Sequence, residues 1–155
     1  MKSKFLVMDV DGTLTDGKIY IDSNGELMKA FNIKDGYAIK NLLPIHNVIP
    51  VVITGRTSSI TDYRMRELGV VEIHQNIQNK EELLKRLLQK YNCTTAEVAY
   101  IGDDLNDLSA MIMCAVKGCP QDASDAIKNI SDYICKQKGG EGCVREFIEF
   151  LIARE

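Results

Sequence analysis

Six short apolar runs, rich in β-branched residues and separated by helical patterns, constrain this chain more than any other feature. The runs lie at 5–10, 48–53, 70–73, 98–101, 114–116 and 133–135, and the helical patterns at 36–43, 58–68, 80–91, 104–113 and 123–130. Runs this short with little polar alternation read as strands covered on both faces. Strand alternating with helix then gives a doubly wound α/β fold, a parallel sheet with helices on both sides. A length of 155 residues suits one such domain, 1–155.

Two segments depart from the alternation. In "KIYIDSNGELMKAF" the pair Asn24-Gly25 separates two β-rich stretches, the pattern of a hairpin turn with positive φ at both residues, so a β-hairpin over about 18–31 follows the first strand. Near the end, Val144, Phe147, Ile148, Leu151 and Ile152 fall on one helical face, preceded by "KQKGGEG", which reads as a flexible glycine segment.

Chemistry-bearing residues collect at the strand ends. The first run, "FLVMDVDGTLTDG", closes on Asp9 and Asp11, the second on Thr54-Gly55-Arg56, and the fourth on Gly102-Asp103-Asp104. In a parallel sheet these ends share one edge, where α/β proteins place their ligands. Plainer readings exist for each: Asp and Gly form turns, Thr-Gly ends strands, Arg56 is an ordinary loop cation, and Asp104 and Asp107 are favourable acids at a helix start. Asp9 fits them least, because it precedes the chain break, where a strand should still be apolar. Acids gathered in one crevice need a cation among them, and an all-oxygen site with open positions suits Mg²⁺, which completes its shell with water and phosphate. Lys80 supports phosphate chemistry. Asn79 reads as an N-cap with Glu82 completing a capping box, which puts Lys80 in the first turn, where the helix dipole opposes a cation unless an anion is near.

Nineteen basic against 22 acidic residues, with no long basic run, argue against a nucleic-acid partner. Five cysteines without a CxxC or a histidine at ligand spacing read as reduced thiols of a cytoplasmic protein. The first apolar stretch is too short and too acidic for a signal peptide or a membrane span. His46 reads as a loop residue beside Pro44 and His74 as one that follows a strand, and neither reads as catalytic.

"DVDGT", "VITGR", Lys80 at its helix start and "GDDLND" resemble, in order, the four motifs of the haloacid dehalogenase superfamily of phosphohydrolases. Only 42 residues lie between Asp11 and Thr54 and 25 between Thr54 and Lys80, too few for the cap domain of larger members. The hairpin, "FNIKDGYAIK", "VITGR" and "GGEGCVREF" together resemble the capless 3-deoxy-D-manno-octulosonate 8-phosphate phosphatases, which are homotetramers joined through their hairpins, with the Gly-rich tail closing a neighbouring site. The resemblance implies a small sugar phosphate as substrate, Mg²⁺ as cofactor and no membrane partner. It implies Asp9 as nucleophile, Asp11 as acid and base, Thr54 and Lys80 on the phosphate, and a metal held by Asp9, the Asp11 carbonyl and Asp103. Asp104 and Asp107 would steady these groups. Substrate contacts would come from Asn32, Lys34, Asp35, Gly36, Lys40, Arg56, Arg64 and Asn106. Many relatives carry Arg where this chain has Lys34 and Lys40, and Lys cannot repeat a bidentate contact.

Three other readings compete. A signalling receiver domain also gathers acids, Thr and Lys around Mg²⁺, but keeps its phosphorylated Asp on a middle strand, where "VVEIHQN" has none. A non-catalytic oligomerisation module would not need Asp9, Asp11, Lys80 and Asp103 intact. A phosphatase of nine-carbon sugar acid 9-phosphates shares "GDDLND" and "GGEG", and Arg56 favours the eight-carbon substrate.

Overall fold

A computed structural model describes residues 3–154. Six parallel strands form one sheet: β1 (Phe5–Met8), β4 (Ile49–Ile53), β5 (Glu72–His74), β6 (Val98–Ile101), β7 (Val116–Cys119) and β8 (Tyr133–Ile134). Their order is β5-β4-β1-β6-β7-β8, so the chain winds outward from β1 in one direction and then from β6 in the other. β1 and β6 are neighbours, and the crevice beyond their carboxyl ends is the topological switch point.

Alternation along the central strands serves two cores. Leu6 and Met8 pack with Ala38, Ile39 and the C-terminal helix, whereas Phe5 and Val7 pack with Leu84, Leu87 and Ile127 on the opposite face. One face is covered by α1 (Ile33–Tyr37), the π-turn that continues it (Ala38–Leu42), α2 (Leu43–Ile45), α3 (Ser59–Glu67) and α7 (Cys143–Ala153). The other carries α4 (Lys80–Lys90), α5 (Leu105–Met113) and α6 (Asp125–Ile130). The widening over Ala38–Leu42 has a local cause. Pro44 has no N–H for the carbonyl four residues back, and Leu43 N–H bonds Ala38 O instead.

The hairpin is present as β2 (Tyr20–Asp22) and β3 (Gly25–Met28), but its turn differs from the expectation. Asp22 pairs with Gly25, so Ser23 and Asn24 occupy the turn, Asp22 Oδ1 accepts from Asn24 N at 2.7 Å, and Gly25, not Asn24, carries the positive φ of 116°. An Asx turn thus replaces the Asn-Gly type.

The seventh strand begins at Val116 rather than 114, because Cys114 N–H still bonds Met111 O and closes α5. "KQKGGEG" is tied to the rest of the chain by backbone contacts. Gly139 N donates to Asp122 Oδ1 at 2.9 Å and Gly140 N to Thr13 O at 3.1 Å, while a Cβ on Gly139 would meet Gly12 O at 1.9 Å. The glycines are there for close backbone approach, and the segment buttresses this chain's own loop after β1. Among the described residues, no helix is long and apolar enough to cross a membrane.

Candidate active site

Each strand at the switch point delivers one acid. β1 runs apolar and fully buried to Met8, and Asp9 follows, 3 % exposed, its N–H still bonded to Ile101 O of β6. β6 ends at Ile101, and Gly102 leads to Asp103. A Cβ built on Gly12, whose φ is +95°, would lie 2.1 Å from Asp103 Oδ2, so only glycine lets the loop after β1 close onto the acid from β6. Thr13 completes the contact, donating its hydroxyl to Asp103 Oδ1 at 3.1 Å.

Lys80 joins these acids from the opposite layer. Asn79 caps α4, accepting from Glu82 N at 3.0 Å, while the Glu82 carboxylate lies 4.0 Å from Arg86 rather than reaching back as a capping box requires. The Lys80 side chain is fully buried, with Nζ 2.6 Å from Asp9 Oδ1 and 2.8 Å from Asp107 Oδ1. Burial works against its charge, but the carboxylates of Asp9 and Asp107 outweigh it and hold the ammonium above its ordinary pKa. They also resolve the conflict with the helix dipole.

Asp107, fully buried, has every oxygen engaged. Oδ1 accepts from Lys80 and from Tyr100 OH at 2.8 Å, and Oδ2 accepts the backbone N–H of Asp103 at 3.1 Å and of Asp104 at 3.4 Å. It orients Lys80 and the Asp103 loop and has little capacity left for a metal. Asp104 is exposed and caps α5, its Oδ1 accepting from Leu105 N at 2.8 Å.

Carboxylate oxygens of Asp9, Asp103 and Asp107 lie within 4.8 Å of one another. One buried ammonium among three carboxylates leaves two negative charges uncompensated, and the electrostatics reflect it. Burial and the charge of Asp107 push the Asp9 carboxyl well above its ordinary value, against the pull of Lys80. Burial pushes Asp103 up to about 6, with Asp107 and Asp104 adding to it and hydrogen bonds from Asp9 and Thr13 opposing. A hard dication fits this set. Asp9 and Asp103 offer carboxylate oxygens, and the Asp11 carbonyl follows on the same loop.

The other expected site residues divide between this sheet edge and a separate groove. Thr54 is buried at the end of β4, its N–H bonded to His74 O, and Gly55 brings the loop beside Asn106, since a Cβ there would lie 3.9 Å from Asn106 Nδ2. Arg56 and Asn106 are exposed. Asp11 is held through Oδ1 by Lys29 at 2.5 Å. Asn32 caps α1, accepting from Lys34 N at 2.8 Å, and Lys34 is exposed. Asp35 faces inward, and its Oδ1 accepts Arg145 N at 2.8 Å in the first turn of α7. Burial pushes its carboxyl up to about 6 despite the amides of Arg145 and Val144. Gly36, Lys40 and Arg64 line a separate groove of about 200 Å³, which none of the three clustered acids lines. There Arg64 Nη1 pairs with Glu67 Oε2 at 2.7 Å and Lys40 Nζ donates to Glu67 O at 3.3 Å.

Three residues of the site escape sequence reading. Tyr100 sits in an apolar run as a core residue would, though a buried Tyr needs a partner for its hydroxyl. Thr13 stands inside "DGT" with no spacing that singles it out. Lys29 reads as a solvated hairpin lysine.

A family model described as haloacid dehalogenase-like hydrolase matches residues 52–148. The 3-deoxy-D-manno-octulosonate 8-phosphate phosphatase of Salmonella typhi is 38% identical over 149 residues, covering 96% of this chain and 79% of that protein, and that of Escherichia coli K12 is 37% identical over the same span. Among solved structures, the Moraxella catarrhalis enzyme in complex with magnesium, phosphate and KDO superposes with TM-score 0.94 at 37% identity, covering 99% of this chain and 87% of that one. The cobalt-bound Haemophilus influenzae phosphatase gives TM-score 0.93 at 35% identity, covering 98% and 88%. With a family model matched over more than half its length and a relative this similar along nearly all of it, the chain belongs to the haloacid dehalogenase-like hydrolases.

Proposed function

We propose that this chain is a Mg²⁺-dependent phosphatase that hydrolyses 3-deoxy-D-manno-octulosonate 8-phosphate to the free sugar acid and phosphate through an aspartyl phosphate on Asp9. The observation that carries the reading is the buried Asp9–Lys80–Asp107 chain beside Asp103, with two negative charges left over at the switch point. Relatives solved with magnesium, phosphate and KDO, or with cobalt, support the metal and the substrate class.

Asp9, at the end of a rigid strand, attacks phosphorus, dividing one difficult displacement into two easier ones. Lys80 keeps Asp9 in place and meets the phosphoryl oxygens together with Thr54, where donors count most as charge spreads in the transition state. Asp11 gives a proton to the leaving sugar oxygen and then takes one from the water that opens the acyl phosphate. Asp9, the Asp11 carbonyl and Asp103 would hold the Mg²⁺, which when bound supplies the positive charge that lets a carboxylate approach a phosphate ester. Asp107 orients Lys80, and Asp104 caps the helix beside it.

Arg56 and Asn106, by the Thr54 loop, are the contacts this chain's own site offers a sugar acid. Lys34 and Lys40 are exposed and available to a substrate, Asn32 and Arg64 are partly exposed, and Asp35 and Gly36 are buried within this chain, where they shape the site rather than touch a ligand. A homotetramer joined through the hairpins accounts for Ile19, Ile21, Leu27 and Met28, which are 44–60 % exposed. Five unpaired thiols support a reducing, cytoplasmic setting, with 1–155 acting as one domain.

The test is phosphate release with Mg²⁺ from a panel of eight- and nine-carbon keto-sugar acid phosphates, with Asp9→Asn as control. Preference for the octulosonate 8-phosphate and no release by the variant are expected. Preference for a nine-carbon 9-phosphate would move the assignment, and a long-lived phosphoprotein without turnover would overturn it.

A further inference from the structure

The Lys29 side chain lies at the foot of the hairpin and is only 3 % exposed, although the hairpin around it is open to solvent. Its ammonium reaches Asp11 Oδ1 at 2.5 Å and Glu26 Oε1 at 3.0 Å. Glu26 is fixed in turn, since its Oε2 accepts the Ser58 hydroxyl at 2.5 Å, and Ser58 caps α3 and donates its N–H to Gln75 Oε1 at 2.7 Å. One chain of contacts thus runs from the loop after β4, through the hairpin, to the carboxylate of Asp11. A long, flexible side chain buried against two acids loses rotamer freedom and desolvates a charge, costs that a solvated hairpin lysine avoids.

We propose that Lys29 is a positioning residue for Asp11, an inference that rests on the phosphatase reading above. Lys29 grips Oδ1, while Oδ2 has no hydrogen bond among the described residues and is the oxygen left to carry the proton. In the first step Asp9 forms a bond to phosphorus, the bond from phosphorus to the sugar oxygen breaks, and that oxygen takes the proton from Asp11 Oδ2. A carboxyl free to rotate would meet the leaving oxygen only part of the time. Glu26 and Ser58 keep the ammonium in place and tie the orientation of the acid to the hairpin.

Leaving-group dependence tests the role. A sugar alkoxide departs poorly without a proton, whereas p-nitrophenolate needs none, and kcat/KM reports on the steps up to its departure. Lys29→Met should lower kcat/KM on the sugar 8-phosphate by about 10²-fold and on p-nitrophenyl phosphate by less than about fivefold, with Mg²⁺ affinity unchanged. Lys29→Arg, which keeps a buried donor, should recover part of the loss on the sugar substrate. Equal losses on both substrates, or no loss on either, overturn the proposal. Should Lys29→Met fail to fold, Glu26→Gln gives the same comparison, and an unchanged ratio between the substrates overturns the proposal there as well. Turnover of both substrates by the wild type is measured first, so a failed phosphatase reading is separate from a failed role for Lys29.

Discussion

Asp104 and Asp107 are three residues apart on the same helix start, yet the geometry assigns them very different consequences. Asn in place of Asp107 removes a charge and turns one acceptor into a donor. The Oδ2 side faces two backbone N–H groups that cannot turn, so the amide oxygen must stay there and the new NH₂ confronts Lys80 and Tyr100. Lys80 keeps Asp9 but loses a charge-assisted bond made at 2.8 Å with no solvent exposure. Truncating one partner of a buried pair costs about 3–5 kcal/mol, and the remaining Asp9 contact keeps this case near the lower end, at about 3 kcal/mol. For a chain of this size each kcal/mol moves Tm by about 2–4 °C, so Asp107→Asn should melt about 6–12 °C lower. Displacing the Lys80 donor should also lower kcat by about 10²–10³-fold. Asp104→Asn removes the same charge from an exposed cap that Asn serves equally well, and should change stability by a few tenths of a kcal/mol at most, about 1 °C in Tm. Differential scanning fluorimetry and phosphate release on the two variants decide the matter. An Asp107→Asn protein within 2 °C and twofold of Asp104→Asn, thresholds of about the assays' resolution, would refute the claim that Asp107 holds Lys80 in place.

Gly12→Ala must adopt a φ of +95° and place a methyl 2.1 Å from Asp103 Oδ2. Isothermal titration should show Mg²⁺ binding at least about tenfold weaker, equivalent to about 1.4 kcal/mol. Asp35 binds its proton more tightly in the folded chain, up to about 6, than in an unfolded one. The native state therefore holds the extra proton between about pH 4 and pH 6, and stability from this group falls as pH rises through that window. Asp35→Asn should flatten that part of a urea-denaturation pH series, and an unchanged slope would contradict the burial argument. If the chain assembles through its hairpins as proposed, Ile21→Lys with Leu27→Lys should yield a monomer in sedimentation experiments and depress activity on the sugar phosphate. A verified monomer with full activity would remove the assembly from the account.

The sheet was legible because β1, β4 and β6 are short apolar runs with helices between them, and parallel strands of that kind put Asp9 and Asp103 at one edge. β7 lies two residues later than its apolar run because "VKGC" carries a Lys and a Gly, while Cys114 and Ala115 before it are apolar but follow the end of a helix. The contacts of the glycine segment were hidden for a related reason. Composition records that Gly139 and Gly140 permit freedom, whereas their close approach to the loop after β1 uses the missing side chain for contact. Lys80 was legible through a conflict with the helix dipole, but Lys29 offered no such conflict. Its burial arises only because the hairpin folds back over Asp11, a long-range event that the residues around it do not encode locally. Asp35 and Arg64 likewise look alike in sequence to residues that face a ligand, and only packing shows one turned into α7 and the other onto Glu67.

Acids from two distant strand ends should surround one divalent ion, and a crystal structure grown with Mg²⁺ and a phosphate mimic would locate it. The ion is expected about 2.1 Å from a carboxylate oxygen of both Asp9 and Asp103 and from the Asp11 carbonyl, with Lys80 still on Asp9 and Asp107. Magnesium bound elsewhere, or bound by Asp107 with Lys80 released, would rule out this metal site.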